Sequence, residues 1–570
     1  MCRNLVIFAQ NFWFCAMETK ISFNSYIEKS IKDNWDKDSL TDYKGTTLQY
    51  HDVARKIEKL HILFESCNIQ KGDKIAICGR NSANWAVAFL ATLTYGAVAV
   101  PILHEFTADQ IHNIVNHSDA KILFVGDVVA TQIDPAKMPN LESIIYLPYR
   151  SIILSRNEQF SHTVEHLNEI FGKKYPKYFG KEHIHYHEDQ PDELALINYT
   201  SGTTGFSKGV MLSYQALWSN LDFILNALGP HLKKGSSVLN ILPMAHMYGL
   251  MVEFLFEFCL GNHIHFLTRL PSPSIIAQAF YDIKPSIIIA VPLIIEKIVR
   301  KKIFPVIQNN KMKVLLNMPV INKKIKESIC EKIKELFGGN LYEIIIGGAG
   351  LNKEVENFFT SIHFPITVGY GTTETAPLIT FTNWEDFAPG SCGKPVAHME
   401  VKILSPDPEN IPGEIITRGL NVMKGYYKNE AATKKALVDG WFHTGDLATM
   451  DKEGNVFIRG RIKNMLLGAD GQNIYPEEIE DKLNSMAMVN ESLVIQKGDK
   501  LVGLVNPNKE EVQSLGFSKE DLARIMEEYR KKLNAGLPSF CKISSIQLHD
   551  EEFEKTPKKS IKRYLYKDAL

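Results

Sequence analysis

The chain has 570 residues, a formal net charge of −1, 45% apolar residues and 23% charged residues. That length supports several hydrophobic cores and two or more domains. A charge so close to zero excludes a global attraction to nucleic acid or anionic membrane. The eight cysteines, Cys2, Cys15, Cys67, Cys78, Cys259, Cys330, Cys392 and Cys541, form no C-x-x-C pair. Neither a zinc site nor a disulfide framework is indicated, and the thiols read as reduced groups in a cytoplasmic enzyme.

The apolar run Leu5 to Ala16 follows Arg3 and has a faint signal-peptide character. Asn4, Gln10 and Asn11 interrupt it, no clean small-x-small site follows, and it is too short to span a bilayer. Residues 1–16 are read as an upstream extension outside the fold, with Met17 as a more ordinary start. From 18 to 190, helical and strand patterns alternate. Thr47 to Phe64 has helical spacing, Lys74 to Cys78 is a short strand, Trp85 to Leu93 a helix, Gly96 to Pro101 a strand, and Lys121 to Val125 another. Such alternation implies a mostly parallel sheet covered on both faces.

Leu194 to Ile197 reads as a buried strand leading into Tyr199-Thr200-Ser201-Gly202-Thr203-Thr204-Gly205-Phe206-Ser207-Lys208-Gly209. Glycines let backbone amides approach an anion, hydroxyls add donors, and Lys208 adds a point charge. This is the chemistry of a phosphate cradle, although the Walker spacing is absent. Ser213 is placed to N-cap a helix over Tyr214 to Leu228.

Strands follow over Ser237 to Leu242, His263 to Leu267 and Ser286 to Val291. Between the first two lies Leu242-Pro243-Met244-Ala245-His246-Met247-Tyr248-Gly249. Glu296 to Glu335 holds eleven Lys/Arg against four Glu. It reads as a solvated amphipathic helical pair, with an alternative role as a basic face on anionic lipid. Leu341 to Ile346 is a strand ending in Gly347-Gly348-Ala349-Gly350, and Ile366 to Val368 leads to Gly369-Tyr370-Gly371-Thr372-Thr373-Glu374-Thr375. A tyrosine can stack on a base, and Glu374 offers hard oxygen to Mg²⁺.

Residues 390 to 460 are rich in glycine, proline and short β runs, and they contain Gly440-Trp441-Phe442-His443-Thr444-Gly445-Asp446-Leu447. After Gly460-Arg461-Ile462-Lys463-Asn464 the character changes. Helices over Glu477 to Asn484 and Lys519 to Leu533, with strands over Ser492 to Gln496, Leu501 to Val505 and Ile543 to Leu548, form a small α+β unit.

Five of these stretches, in this order, resemble the adenylate-forming superfamily of acyl-CoA synthetases, luciferases and adenylation domains. The resemblance runs from about residue 40 to the C-terminus and is most like a medium- or long-chain fatty acid–CoA ligase. It implies an α/β fold. A large N-terminal domain (17–462), with mostly parallel sheets and a small β-barrel-like region, would precede a small mobile α+β domain (463–570). It implies ATP, Mg²⁺ and the co-substrate CoA, with a fatty acid as the small-molecule carboxylate. The near-zero charge argues for no nucleic-acid partner, the scattered thiols for a cytoplasmic location, and the basic 296–335 stretch leaves contact at the inner face of the membrane as an option.

By the same resemblance, Thr200 to Gly205 and Lys208 hold phosphates, and Thr200 and Glu374 share the metal. His246 orients the carboxylate. Gly348 and Ala349 flank the adenine opposite Tyr370 and Gly371, and Thr372 or Thr373 meets the α-phosphate. Asp446 binds ribose with Arg461 behind it, and Lys463 falls at the hinge. Gly468 to Asn473 resembles the loop that faces the site in the thiolation step.

Two positions depart from the pattern: Ser207 stands where the family usually has proline, a mild change, and the second lies in the C-terminal signature. The C-terminal signature is usually close to T-P-T-x-K-I-x-R, and here it is Thr556-Pro557-Lys558-Lys559-Ser560-Ile561-Lys562-Arg563. Ser560 stands where the resemblance expects the lysine of the adenylation step. Lys559 or Lys558 is the candidate replacement. The alternatives are slow adenylation with thioester formation intact, or an acyl- or nucleotide-binding pseudoenzyme. A ligase for another carboxylate or for a carrier protein is a further rival.

Overall fold

The structure is a computed structural model that describes residues 22–200, 207–268, 272–307, 322–467, 472–498, 500–556 and 561–566. The expected extension 1–16 therefore lies outside the described residues. An eight-stranded sheet dominates the first half. Its strand order is Gly425–Tyr426, Lys208–Ser213, Leu194–Thr200, Val98–Ile102, Lys74–Cys78, Ala120–Val125, Ser143–Tyr146 and Ser151–Ser155. The strands from Leu194–Thr200 to Ser143–Tyr146 are parallel. The pairs beyond them at both edges are antiparallel.

The parallel strands are continuous apolar runs because helices bury both faces. The helix Ala83–Tyr95 is buried almost throughout and stops at Gly96 in the left-handed conformation. The helix Tyr214–Leu228 starts where its cap residue predicts, with the Ser213 side chain accepting from the Ala216 amide. The expected helix from Thr47 is shorter at its start: Thr47–Gln49 is a strand paired with Asp38–Asp42, and the helix runs Tyr50–Ser66. Cross-strand pairing with a neighbour 6 to 11 residues upstream overrides local helical periodicity there.

A second parallel sheet joins Ile287–Ala290, Glu343–Ile346 and Ile366–Val368. Two glycine-bearing segments, 347–350 and 369–375, leave the carboxyl ends of its neighbouring strands. That is where open parallel sheets present ligand crevices. Residues 399–461 form a five-stranded antiparallel sheet, the β-rich region expected there. The C-terminal region has its own three-stranded sheet, Val489–Lys497, Lys500–Pro507 and Ile543–Leu548, over a core that includes Ile479, Leu483, Val494 and Leu533.

Two features were not foreseen. Gly249–Leu255 is a π-helix that runs into the α-helix Phe256–Leu260. Its Glu253 carboxylate is buried and accepts from the amides of Ile241 (2.9 Å) and Leu242 (2.8 Å). The apolar run from Met251 is core, since Met251, Phe254, Leu255, Phe256 and Phe258 are fully buried. The basic stretch is broken into Pro292–Ile298, a π-turn Val299–Ile303, Phe304–Ile307 and the helix Asn322–Leu336. Part of it is engaged: Lys301 pairs with Glu510 at 2.7 Å and Arg300 donates to the Asn484 carbonyl at 3.1 Å. Among the described residues no helix is long and apolar enough to cross a membrane.

Glu343 begins the strand that delivers residues 347–350. It has no solvent exposure, its Oε1 accepts from the Trp384 amide at 3.0 Å, and its Oε2 has no partner among the described residues. Burial pushes its carboxyl up to about 8 from an ordinary 4.5. The stability this proton contributes is therefore present in full below about pH 4.5 and is lost as pH rises from there through about 8. Glu343→Gln removes this titration. Thermal melts from pH 5.5 to 8.5 should show a shallower decline for the variant, by up to about 1.4 kcal/mol per pH unit. Parallel declines would show that Glu343 is ionised in the folded protein.

Candidate active site

The residues expected to cradle phosphate, Ser201, Gly202, Thr203, Thr204 and Gly205, lie outside the described residues. The two strands that carry the loop are described. Leu194–Thr200 and Lys208–Ser213 are antiparallel, with Thr200 directly opposite Lys208. The Thr200 hydroxyl donates to the Lys208 carbonyl at 3.5 Å, a long bond that is easily exchanged. The Lys208 ammonium sits 4.6 Å from the centre of the Tyr426 ring. The Tyr426 hydroxyl donates to Oε1 of Glu374 at 2.9 Å.

Glu374 lies in a single 3₁₀ turn, Thr373–Thr375, that is fixed from several sides. The Thr372 amide donates to the Pro377 carbonyl at 2.9 Å, and the Thr375 hydroxyl donates to the same carbonyl at 2.7 Å. Two buried asparagines clamp the turn. Asn220 donates to the Thr375 carbonyl and accepts from the Leu378 amide, while Asn421 donates to the carbonyls of Thr375 and Leu378. The Met423 amide donates to the Glu374 carbonyl at 2.8 Å. Gly371 admits no side chain: a Cβ there would lie 1.9 Å from the Pro377 oxygen.

On the other side of the crevice, Asp446 is 4% exposed and holds two partners. The Tyr370 hydroxyl donates to Oδ2 at 2.7 Å, and Arg461 Nε pairs with Oδ1 at 2.8 Å. Asp446 and Arg461 also face each other across the strands Trp441–Met450 and Val456–Arg461. Gly445 has φ +71°, and its amide is held by Glu414 Oε1 at 3.0 Å, which turns the chain so that Asp446 points inward. Burial, with Asp446 beside it, raises the Tyr370 phenol well above its usual value. Tyr370 is therefore a neutral donor to the carboxylate.

Lys463 lies in the 3₁₀ turn Ile462–Asn464. Burial lowers its ammonium below the ordinary lysine value, and Arg461 lowers it further, with Asp446, Lys208 and Glu374 all in electrostatic reach. The resemblance places Lys463 at a hinge. The structure also makes it part of the charge cluster that joins the two sides of the crevice.

His246 is half-buried. Its Nδ1 accepts from the Tyr248 amide at 3.3 Å, which places the proton of the neutral ring on Nε2. Asn198, on the strand that ends at Thr200, donates to the Ala245 carbonyl at 2.9 Å and so ties this turn to the hairpin. The Tyr248 ring fills the space beside Gly347, where a Cβ would meet it at 2.7 Å. Gly348, in the left-handed region at φ +85°, and Ala349 then emerge exposed at the strand end. Lys559, Ser560, Lys558 and the stretch 468–471 lie outside the described residues.

The structure thus brings Thr200, Lys208 and Glu374 together, and separately Tyr370, Asp446 and Arg461, with Lys463 between them. Tyr426, Asn220, Asn421 and Glu414 were missed by sequence reading. Asn220 left a signal, since it lies three residues after Leu217 and four before Ile224, on the buried stripe of its helix. Tyr426 left none, because nothing in its local pattern distinguishes it from a core aromatic.

The donor set suits a magnesium nucleotide. Glu374 Oε2 has no hydrogen-bond partner among the described residues, the Thr200 hydroxyl is weakly engaged, and both are hard oxygens. Among the described residues no cluster of three acidic, histidine or cysteine side chains exists to cage a metal. A Mg²⁺ here would take its remaining oxygens from phosphate and water.

A family model described as AMP-binding enzyme matches residues 27–427, and one described as AMP-binding enzyme C-terminal domain matches residues 463–569. The chain belongs to the AMP-binding enzyme family. It is 28% identical to long-chain-fatty-acid–CoA ligase 5 of Rattus norvegicus, across 89% of this chain and 80% of that one. It is 26% identical to long-chain-fatty-acid–CoA ligase FadD15 of Mycobacterium bovis, across 81% of this chain and 78% of that one. Its fold matches that of the o-succinylbenzoate coenzyme A synthetase of Bacillus subtilis in complex with ATP and magnesium ion. The TM-score is 0.72 at 21% identity, over 95% of this chain and 99% of the other.

Proposed function

We propose that this enzyme joins a fatty acid to coenzyme A in two steps at one site, using ATP and Mg²⁺. The observation that carries the reading is the arrangement of Lys208, Glu374 and Thr200 on one wall and Asp446, Arg461 and Tyr370 on the other. A triphosphate and its metal fit the first wall, and a ribose with its base fits the second. The carboxylate oxygen attacks the α-phosphorus of ATP, the bond to the bridging oxygen of pyrophosphate breaks, and acyl-AMP forms. The thiol of CoA then attacks the acyl carbon, and AMP leaves with the bonding electrons.

Lys208 offsets charge on the leaving phosphates, and His246 orients the carboxylate from the turn tied to the hairpin. Mg²⁺, held by Glu374 and Thr200, would supply charge neutralisation on the same phosphates. Thr372 or Thr373 faces the α-phosphate, while Gly348, Ala349 and Gly371 leave room for the adenine beside Tyr370. Asp446 receives the ribose hydroxyls, its carboxylate fixed by Arg461. Positioning and electrostatics supply the rate in this kind of transfer, with little covalent work by the protein. A small C-terminal domain, 463–570, pivoting near Lys463 against the 17–462 domain, would serve both geometries from one site.

The fatty-acid assignment draws on the names of the two ligases above. It is tested by acyl-CoA formation from acids of 6 to 18 carbons, set against anthranilate and o-succinylbenzoate. Preference for an aromatic acid, or for a carrier protein over CoA, would replace it. Ser560 favours a second reading, an enzyme slow or silent in its first step. Ser560→Lys is expected to raise adenylation by about 100-fold and to leave conversion of supplied acyl-AMP to acyl-CoA within about twofold. Equal gains in both half-reactions would show that the C-terminal register is wrong.

We also propose that the exposed Lys323, Lys324 and Lys332 of helix Asn322–Leu336 rest on anionic lipid. Each would contribute about 1 kcal/mol. Co-sedimentation with phosphatidylserine vesicles should fall when all three become glutamine and when salt is raised. Salt-independent binding, or binding unchanged in the triple variant, would contradict it.

A further inference from the structure

We propose that Tyr426 is a positioning residue that holds Lys208 and Glu374 apart and aimed at the phosphate site, so that neither charge is spent on the other before nucleotide and metal arrive. The inference rests on the reading of Lys208 as phosphate partner and Glu374 as metal ligand.

The backbone around Tyr426 is stitched to both. On one side, Tyr426 pairs with Val210, the Tyr427 amide donates to the Gly209 carbonyl at 2.8 Å, and the Lys424 amide donates to the Met211 carbonyl at 2.9 Å. These bonds fix it against the strand that begins at Lys208. On the other side, the Met423 amide donates to the Glu374 carbonyl at 2.8 Å. The Tyr426 amide is itself held by the Thr433 hydroxyl at 2.8 Å. Gly425, at φ +139°, lets the chain pass so close to Thr433 that a Cβ would meet its methyl at 2.7 Å. These ties fix the Tyr426 backbone, and the ring itself is packed, at 7% exposure.

The side chain then divides its two chemistries between the two charges. Its face receives the Lys208 ammonium at 4.6 Å, and its hydroxyl donates to Glu374 at 2.9 Å. Among the described residues Lys208 and Glu374 make no direct ion pair. A direct pair in a partly buried crevice would neutralise both groups and compete with the nucleotide. A cation–π contact of about 0.5 to 2 kcal/mol leaves the ammonium charged and exchangeable. One phenol donor leaves the second carboxylate oxygen for a metal. The Tyr426 hydroxyl is the donor in this contact, and the Glu374 oxygen accepts.

The test is equilibrium binding of ATP by calorimetry, with and without Mg²⁺, alongside thermal melts. In the parent protein Mg²⁺ strengthens ATP binding. Tyr426→Phe keeps the ring and should leave Mg²⁺-free binding within about twofold while removing about tenfold of the Mg²⁺ strengthening, the worth of a hydrogen bond to a charged group. Tyr426→Leu also frees Lys208 to reach Glu374, and should weaken Mg²⁺-free binding by about tenfold as well. Glu374→Gln is the reference. If Glu374→Gln abolishes the Mg²⁺ strengthening and Tyr426→Phe does not touch it, the role of Tyr426 is overturned while the metal reading stands. If Glu374→Gln leaves the strengthening intact, the metal reading falls and this inference falls with it. Equal weakening of both conditions by Tyr426→Phe, in step with a lower melting temperature, would reduce Tyr426 to a packing residue.

Discussion

Lys208→Ala lowers the rate of acyl-adenylate formation by about 100- to 1000-fold, the cost of removing one preorganised electrostatic contact from a transition state. The geometry explains why no neighbour replaces it. Lys208 is the first residue of its strand, opposite Thr200, and its ammonium is already directed over the Tyr426 ring. Lys463, the other lysine within electrostatic reach, lies in a different segment, the 3₁₀ turn Ile462–Asn464. Thioester formation from supplied acyl-AMP has no pyrophosphate to stabilise and should change far less. A loss confined to the second half-reaction would move Lys208 out of the phosphate site.

Gly371→Ala is expected to reduce the same rate by about 100-fold, through position alone, since a displacement of about 1 Å from the productive geometry costs that much. Alanine is chemically silent and far smaller than the residues around it. Its Cβ would still lie 1.9 Å from the Pro377 oxygen, which is backbone and cannot rotate aside. That oxygen accepts from the Thr372 amide and the Thr375 hydroxyl, so relief of the clash must move the turn that carries Glu374. The asparagine clamps at 220 and 421 belong to the surrounding core and should keep the protein folded. Steady-state rates together with a far-UV spectrum check this. Full activity in the variant would mean that the turn adapts without moving Glu374.

Much of this site was legible in the sequence for specific reasons. The hairpin at 194–213 showed as an apolar run, a glycine and hydroxyl loop, and a capping serine, and each of those signals is local. Asp446 and Arg461 were paired on resemblance, and the strand register then placed them directly opposite each other. Tyr426 and Asn421 were not legible, because their role comes from contacts with segments 43 to more than 200 residues away in the chain. The π-helix at Gly249–Leu255 was invisible to a 3.6-residue period. It is imposed by tertiary contacts, with a Cβ on Gly249 excluded at 2.7 Å by the Pro243 oxygen and with Glu253 tied to the amides of Ile241 and Leu242. The apolar residues Met251, Phe254, Leu255, Phe256 and Phe258 that follow are buried in the main core.

The central claim is that this site forms an acyl-adenylate from ATP and a fatty acid. Fatty-acid-dependent exchange of labelled pyrophosphate into ATP, across acids of 6 to 18 carbons, tests it most directly. The exchange should depend on Mg²⁺, peak at one chain length, be lost in Lys208→Ala and rise in Ser560→Lys. Exchange that is absent with every acid in both the parent protein and Ser560→Lys, while ATP still binds, would contradict it.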